Sequence, residues 1–221
     1  MPMKIKTATL AAIVAAAAVS AVWFACSPPD CMASDVSSYR ECLVLQHTGT
    51  AMIALLLAWD VFRGGMPLSA FFGISAFAFL HIIGACYLYS NVPYAEWFAK
   101  LGIVVDTAGV HANKFDRFVH FSFGLLLFPY LLHKCRGWFG HGLVRSILAA
   151  WQIVQTASMI YELFEWLLAV FMSPEDAEYY NGQQGDAWDA QKDMALAMLG
   201  STLAAAFCAC TDWRRAGKPN G

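Results

Sequence analysis

The chain has 221 residues, of which 59% are apolar and 14% are charged, and its formal net charge is −2. Ordinary soluble domains carry about 25% charged residues, so this composition excludes a typical soluble enzyme or binding module. The small net charge and the lack of a basic patch interleaved with aromatic residues argue against a nucleic-acid partner. At this length, residues 1–221 are expected to form a single integral membrane domain.

Six apolar stretches separated by polar segments predict six transmembrane helices, which is the all-α fold class of a polytopic membrane helix bundle. The first stretch, 7–24, follows two lysines and is interpreted either as the first transmembrane helix or as a signal sequence. Bulky Trp23 and Phe24 disfavour cleavage just after them, so an uncleaved helix is favoured. The second and third stretches are 43–62 and 68–88, with a glycine-rich turn between them.

The second half of the chain begins with a less apolar segment, which predicts a short interfacial helix at 94–103. The fourth, fifth and sixth transmembrane stretches are 118–132, 146–172 and 194–210. At ~1.5 Å per residue the fifth helix is roughly 40 Å long, which exceeds the ~30 Å hydrocarbon core and predicts a tilted or protruding helix. The connection 173–188 is predicted to be an acidic loop.

The distribution of Lys and Arg predicts the orientation of the bundle, because both are enriched in cytoplasmic segments of membrane proteins. With the N-terminus in the cytoplasm, nine of these residues fall on the cytoplasmic side and five outside, whereas fourteen of the sixteen acids fall outside. We therefore predict that both termini are cytoplasmic and that the connection 173–188 is periplasmic. In that oxidising compartment, a disulfide among Cys26, Cys31 and Cys42 is left open.

Ionisable residues within or beside the apolar stretches are the strongest functional signal. A charge in hydrocarbon costs at least ~2.5 kcal/mol, so each such group must find water, a counter-charge or a metal. The predicted topology places these groups in the outer half of the bilayer, where we expect them to line one cavity open to the periplasm. They are Asp116, Arg117, His120, Glu162, Glu165, Asp189 and Asp193, with Lys192 beside them.

Three interpretations of these residues remain open. In the first, Asp, Glu and His side chains bind a divalent metal, because they are ligands that hard and borderline cations prefer. A metal held there would support hydrolysis of an envelope lipid or phosphoester. The candidate ligands are Asp116, His120, Glu162, Glu165 and Asp193.

In the second interpretation, Arg117 and Lys192 neutralise nearby acids and lock the last three transmembrane helices together, without catalysis. In the third, the same two cations hold the anionic head group of a lipid or another small polar ligand. Proton-coupled transport is a variant of the third. The pairs expected in the second interpretation are Arg117 with Asp116, Glu162 or Glu165, and Lys192 with Asp189 or Asp193.

Four ordered motifs carry a resemblance to a known family. They are 81–93, with His81 and Tyr87; 113–124, with Asp116, Arg117 and His120; 161–166, with Glu162 and Glu165; and 185–194, with Asp186, Asp189 and Asp193. Over roughly residues 40–212 the chain resembles the YjdF-like bacterial inner-membrane proteins. It is more distantly similar in layout to the VanZ-like membrane proteins, which implies a link to the cell envelope by analogy.

The resemblance implies a multi-pass protein of the bacterial inner membrane, and it leaves the question of an enzymatic activity open. It adds His81, Tyr87 and Asp186 as secondary site candidates. Lys192 stands where the family pattern leads us to expect a neutral or aromatic residue, so it is expected to neutralise one of the acids near it.

Overall fold

A computed structural model describes residues 2–32, 34–104, 114–140 and 142–216. Within them the chain forms eight α-helices and one short 3-10 turn. The helices are α1 (Pro2–Cys26), α2 (Val36–Arg63), α3 (Leu68–Cys86), α4 (Tyr94–Lys100), α5 (Phe115–Trp138), α6 (Leu143–Phe171), α7 (Pro174–Asn181) and α8 (Asp189–Ala216). Six of these, α1, α2, α3, α5, α6 and α8, are long and apolar enough to cross a membrane, which confirms the prediction of a six-helix membrane bundle.

The helices extend beyond the apolar stretches that predicted them. α2 begins at Val36, ahead of its apolar stretch, because the side chain of Asp35 caps it and accepts a hydrogen bond from the backbone N–H of Ser38 at 3.0 Å. α8 likewise begins early, at Asp189. Hydropathy marks the segment that lies in hydrocarbon, whereas the backbone hydrogen bonds of a helix continue through its polar flanks. The interfacial helix is shorter than predicted and ends at Lys100.

Helix α7 lies in the connection that was predicted to be a loop, so the prediction is wrong there. Ser173 caps the helix by accepting a hydrogen bond from a backbone N–H at 3.1 Å, and Gly182 ends it in a left-handed conformation with φ of 61°. The side chain of Asn181 donates to the backbone carbonyl of Glu165 at 3.0 Å. This hydrogen bond fixes α7 against the last turns of α6.

The membrane-spanning helices form two groups of three. Helices α1, α2 and α3 pack around Ile13, Leu57 and Phe71, whereas α5, α6 and α8 pack around Phe128 and Val154. The two groups meet where α3 packs against α5. Helices α2 and α6 belong to different groups and form no substantial contact with each other.

Helices α5 and α8 cross closely at Gly124 and Gly200. A Cβ atom on Gly124 would overlap the backbone carbonyl of Ala197, and one on Gly200 would overlap that of Phe121. In membranes, small residues at such positions let helix backbones approach each other and pack. The crossing holds the beginnings of α5 and α8 side by side, which places their polar first turns at one end of the bundle.

Two predictions, a signal sequence and a disulfide, concern the first helix and the loop after it. Helix α1 packs against α2 and α3, but whether it is retained or removed as a signal sequence stays a prediction. Cys26 and Cys42 carry free thiols, so a disulfide between them is not formed in this structure. The side chain of Cys31 lies outside the described residues.

Candidate functional site

Three helices deliver the predicted residues to the same end of the bundle. The beginning of α5 carries Asp116, Arg117 and His120, and the beginning of α8 carries Asp189, Lys192 and Asp193. The second half of α6 runs the opposite way and carries Glu162 and Glu165. Asp116 and His120 are four residues apart, and Glu162 and Glu165 are three apart, so the members of each pair occupy neighbouring positions on one helical face. The close packing of α5, α6 and α8 then divides these residues into two clusters.

The first cluster, here called the acid–histidine cluster, consists of Asp116, His120, Glu162, Glu165 and Asp193. His120 is its centre: Nε2 of His120 lies 3.6 Å from Oδ1 of Asp116 and 3.6 Å from Oε1 of Glu162. Asp116, His120 and Asp193 each offer one ligating atom, and these atoms lie within 4.8 Å of one another. A separation of 3.6 Å is too long for a hydrogen bond, so the groups surround a common point without bonding to each other.

Most of this cluster is removed from solvent. Asp193 is 1% exposed, Glu162 6%, His120 7% and Glu165 9%. Oδ1 of Asp193 and Oε1 of Glu162 have no hydrogen-bond partner among the described residues. Glu165 lies three residues after Glu162 on the same face of α6. A buried carboxylate oxygen without a partner is costly, so each of these groups needs a proton or a cation.

The second cluster, here called the ion-pair cluster, consists of Arg117, Asp186, Asp189 and Lys192. The guanidinium of Arg117 lies 2.5 Å from Asp186 and 3.4 Å from Asp189, and Lys192 also pairs with Asp186. Asp186 is buried, and its other oxygen accepts a hydrogen bond from the backbone N–H of Trp188 at 3.1 Å. The pairs therefore fasten the beginning of α5 to the turn that leads into α8.

The pairs expected from the sequence are wrong. Arg117 forms its salt bridges with Asp186 and Asp189, and neither Glu162 nor Glu165 pairs with it; Lys192 pairs with Asp186. The physical reason is position along the chain. Asp186 lies in the turn that directly precedes α8, and this turn places its carboxylate in contact with both Arg117 and Lys192.

The two clusters differ in charge balance. The ion-pair cluster combines two acids with two permanent cations, whereas the acid–histidine cluster combines four carboxyl groups with one imidazole. Among the described residues, no Lys or Arg forms a salt bridge with any member of the acid–histidine cluster. The acid–histidine cluster therefore retains an excess of acid that its own side chains do not neutralise.

A cavity of about 270 Å³ lies beside the acid–histidine cluster. Of the seven residues that were expected to line one cavity, only Asp116 and His120 line this one; the others lie behind them or in the ion-pair cluster. Glu162 lies beside the cavity without lining it, with its Oε1 3.6 Å from Nε2 of His120, and the opening of the cavity to the periplasm stays a prediction.

The secondary candidates separate in the same way. His81 lines the cavity, where Nε2 contacts the backbone carbonyl of Gln46 at 3.1 Å and Nδ1 contacts the hydroxyl of Tyr89. Tyr87 faces away from the cavity and packs against Phe24 at 5.1 Å between ring centroids. It therefore has a packing role between α1 and the turn after α3.

Sequence reasoning missed three polar side chains of the cavity. Tyr161 packs edge-on against the ring of His120 at 5.7 Å, and Tyr89 and Ser158 also line the cavity. Tyr161 stands beside Glu162 in one of the quoted motifs, and Tyr89 stands within another, so both were visible in the sequence. Ser158 lies one helical turn before Glu162 on α6, and this i,i+4 spacing was a usable signal.

Comparisons with known proteins agree with this architecture. Residues 8–214 match the family described as predicted membrane protein (DUF2238). The chain is also 32% identical over 157 residues to the inner membrane protein YjdF of Escherichia coli (strain K12), an alignment that covers 65% of this chain and 69% of that protein. No solved structure matches the chain. The likeness to YjdF-like proteins that the motifs predicted is confirmed, whereas the likeness to VanZ-like proteins stays a prediction.

Proposed function

This chain belongs to the DUF2238 family of predicted membrane proteins and is a multi-pass protein of the inner membrane, and we propose that it binds a divalent cation at the acid–histidine cluster. One observation carries the proposal: ligating atoms from Asp116, His120 and Asp193 lie within 4.8 Å of one another. At metal–ligand distances of about 2.0–2.2 Å, ligand atoms around one tetrahedral ion are roughly 3.3–3.6 Å apart. Small side-chain rotations would bring the three atoms to that spacing.

The burial of these carboxylates and their missing hydrogen-bond partners support cation binding over a purely structural role. The unpartnered oxygens of Asp193 and Glu162 lie beside the ligating atoms, and both residues are more than nine-tenths buried. A divalent ion would give each oxygen a partner and would offset the repulsion among the carboxylates. The ion-pair lock explains Arg117, Asp186, Asp189 and Lys192, but it does not explain the acid–histidine cluster.

The arrangement also disfavours the interpretation in which Arg117 and Lys192 hold an anionic head group. Both cations are directed to Asp186, so neither is directed into the cavity. A head group would have to displace a buried carboxylate to reach them. The mixture of one imidazole with carboxylates favours a cation such as Zn²⁺ or Mn²⁺ over Ca²⁺, which prefers six to eight oxygen ligands.

Cation binding is tested by calorimetry and thermal unfolding of the full chain in detergent, with Zn²⁺, Mn²⁺ and Mg²⁺ added separately after chelation. A bound cation at about 100 times its Kd stabilises the folded state by about 2.7 kcal/mol. We expect wild type to gain stability of this order with one of the three ions. Asp193→Asn and His120→Ala should lose the gain, because each removes a ligand.

Glu175→Gln is the matched control, because Glu175 is an exposed acid at the same end of the bundle and belongs to neither cluster. It should keep the wild-type response to the cation. Equal responses of wild type and Asp193→Asn to all three ions would contradict the proposal. Stabilisation that Glu175→Gln abolishes would indicate binding at the surface instead.

The orientation of the site is proposed on the positive-inside rule. The end of the bundle opposite the site carries Lys4, Lys6, Arg63, Lys134, Arg136 and Arg145. Segments rich in Lys and Arg remain in the cytoplasm, which would turn the acid–histidine cluster toward the periplasm. A reporter fused within 173–188 should be active as a periplasmic reporter, and activity of a cytoplasmic reporter at the same place would reverse the orientation.

A metal-dependent hydrolase is the second candidate function. It is favoured because two residues belong both to the proposed cation site and to the wall of the cavity. Asp116 and His120 belong both to the proposed cation site and to the cavity wall, so a phosphoester in the cavity would lie next to the ion. A cation in such a place lowers the pKa of bound water and polarises a phosphoryl oxygen. Release of inorganic phosphate from vesicles of phosphatidic acid, lost in His120→Ala, is the expected result; no release would leave cation binding without hydrolysis.

A further inference from the structure

The cavity has walls from four helices. Helices α2 and α6 form its two sides, and α3 and α5 form its floor. All of its lining residues on these four helices lie inside membrane-spanning segments. They are Gly49, Met52 and Ile53 from α2, Phe77 and His81 from α3, Asp116, Val119, His120 and Phe123 from α5, and Ala157, Ser158 and Tyr161 from α6, with Tyr89 from the turn after α3.

The flank between α2 and α6 is open because these helices do not pack together. Helix α2 packs against α1, α3 and α7, whereas α6 packs against α5, α7 and α8. Met52 at the rim on the α2 side is 71% exposed, and Ala157 opposite it is half-buried. In a membrane-spanning segment such exposure is exposure to hydrocarbon, so whatever enters through this flank comes from the bilayer.

The walls of the cavity change in character along its length. Met52, Phe77 and Phe123 form an apolar part, and Asp116 and His120 form a polar end. A molecule that matches both has a hydrocarbon chain and an oxygen-bearing polar group, which is the chemistry of a membrane lipid. A purely polar solute would leave the apolar part unfilled, and a hydrocarbon alone would bury Asp116 without a partner.

Tyr89 and His81 add a second polar group at the same end of the cavity. Since a carbonyl can only accept, His81 donates through Nε2 to the carbonyl of Gln46, and Nδ1 is left to accept from the hydroxyl of Tyr89. Burial raises the pKa of Tyr89, so the hydroxyl keeps the proton that it donates to His81. The lone pairs of that oxygen can accept a hydrogen bond from a donor such as a hydroxyl or an amine of a ligand.

The turn after α3, which places Tyr89 at the cavity, has a strained backbone. Leu88 and Tyr89 both have positive φ, 46° and 54°, which non-glycine residues rarely adopt in succession. Such strain of about 1–3 kcal/mol per residue persists only where the surroundings enforce it, and it is concentrated at functional sites. The ring of Tyr89 packs over Gly84, where a Cβ atom would contact it at 2.5 Å.

We propose that the opening between α2 and α6 is a lateral entrance for a membrane lipid, whose hydrocarbon chain fills the apolar part of the cavity and whose polar group lies between Asp116, His120 and Tyr89. The position of the polar group rests on the proposed cation site. The binding of the hydrocarbon chain does not, because it depends only on the open flank and the apolar walls. Ser158, which is 2% exposed and has an unpartnered hydroxyl in the described residues, lies in the same wall.

The test uses the full chain in nanodiscs of phosphatidylethanolamine and phosphatidylglycerol that contain a phospholipid with a diazirine in its acyl chain. After photolysis, labelled residues are mapped by mass spectrometry. We expect labels on floor residues such as Phe77 and Phe123. Ala157→Trp should lower floor labelling at least fivefold by filling the entrance. Ile160→Trp is the matched control, because Ile160 lies on α6 outside the cavity and is 58% exposed.

A second pair keeps the proposal testable if Ala157→Trp does not fold: Met52→Trp should block the entrance from α2, and Leu55→Trp should not. Leu55 is 69% exposed and does not line the cavity. Floor labelling that is absent in wild type, or equal in Met52→Trp and wild type, would overturn the proposal. Cation binding is measured on the same samples. Wild type that binds the cation but shows no floor labelling refutes the entrance alone, and wild type that shows floor labelling but binds no cation refutes the cation site alone.

Discussion

The two ends of the bundle both bury ionisable side chains, but only one end provides each of them with a partner. At the end where α1 begins, Lys6 and Asp60 are both buried and lie 2.6 Å apart. Asp60 also accepts from the backbone N–H of Met66 at 2.7 Å, and Lys6 donates to the Met66 carbonyl at 2.7 Å. At the other end, Asp193 and Glu162 are equally buried but keep carboxylate oxygens without partners.

The difference shows how to separate structural from functional ionisable groups in a membrane. The Lys6 site is complete within the chain: its charges cancel, and a cation–π contact with Phe71 at 5.2 Å adds to them. The acid–histidine cluster is incomplete, because four carboxyl groups share one imidazole. Buried ionisable groups whose charges are paired within the protein need no ligand. Buried groups that lack such partners are the ones that a bound ligand stabilises most.

The largest expected loss of stability is at the buried pair of Lys6 and Asp60. Asp60→Asn keeps an acceptor for Met66 but leaves the Lys6 ammonium buried without its counter-charge, which should lower the free energy of unfolding by about 3–5 kcal/mol. Unfolding in mixed micelles by SDS titration measures it. The double variant Lys6→Met, Asp60→Asn should recover most of this loss because no charge remains buried. A loss below about 1 kcal/mol in Asp60→Asn would remove the contrast between the two ends.

The second prediction concerns the ion-pair cluster, which lies beside the incomplete site but is itself complete. Asp186→Asn leaves Arg117 and Lys192 without their shared carboxylate and should lower the free energy of unfolding by about 1–3 kcal/mol. The effect is smaller than at Asp60 because Lys192 is 44% exposed and Arg117 20%, so water solvates both when the pair is lost. Asp189→Asn is the matched comparison: its distance to Arg117 is 3.4 Å, and its loss should be smaller. An equal or larger loss in Asp189→Asn would contradict this ranking.

Much of this contrast could be predicted from the sequence, and the missing part has a physical cause. The six apolar stretches located the six transmembrane helices, because hydrocarbon imposes length and composition on every helix that crosses it. The i,i+4 spacing of Asp116 and His120 placed them on one helical face. Periodicity describes each helix by itself, however, and it contains no information on how far one helix is rotated relative to the next.

That rotation decided which partners met. Arg117 and Asp186 are close in space because α5 and α8 cross at Gly124, a contact that depends on both helices at once. The buried pair of Lys6 with Asp60 was also not predicted, since the sequence separation is 54 residues and both lie at helix ends where solvation is the simpler expectation. Helix α7 was not predicted although Ser173 and Pro174 form a recognisable helix start, because a short acidic segment between two apolar stretches is also typical of a loop.

The smallest expected effect is at Glu162, where a substitution should raise the free energy of unfolding slightly instead of lowering it. In the chelated protein, Glu162→Gln removes one carboxylate from a cluster that has too many, and it offers an amide N–H to the unpartnered oxygen of Asp193. The free energy of unfolding should stay unchanged or rise by up to about 1 kcal/mol, because like charges at this depth repel each other. The same SDS titration measures it, with Asp60→Asn as the reference for a complete site. A loss of more than about 2 kcal/mol would mean that Glu162 already has a partner within the fold, and the acid–histidine cluster would then be structural like the Lys6 site.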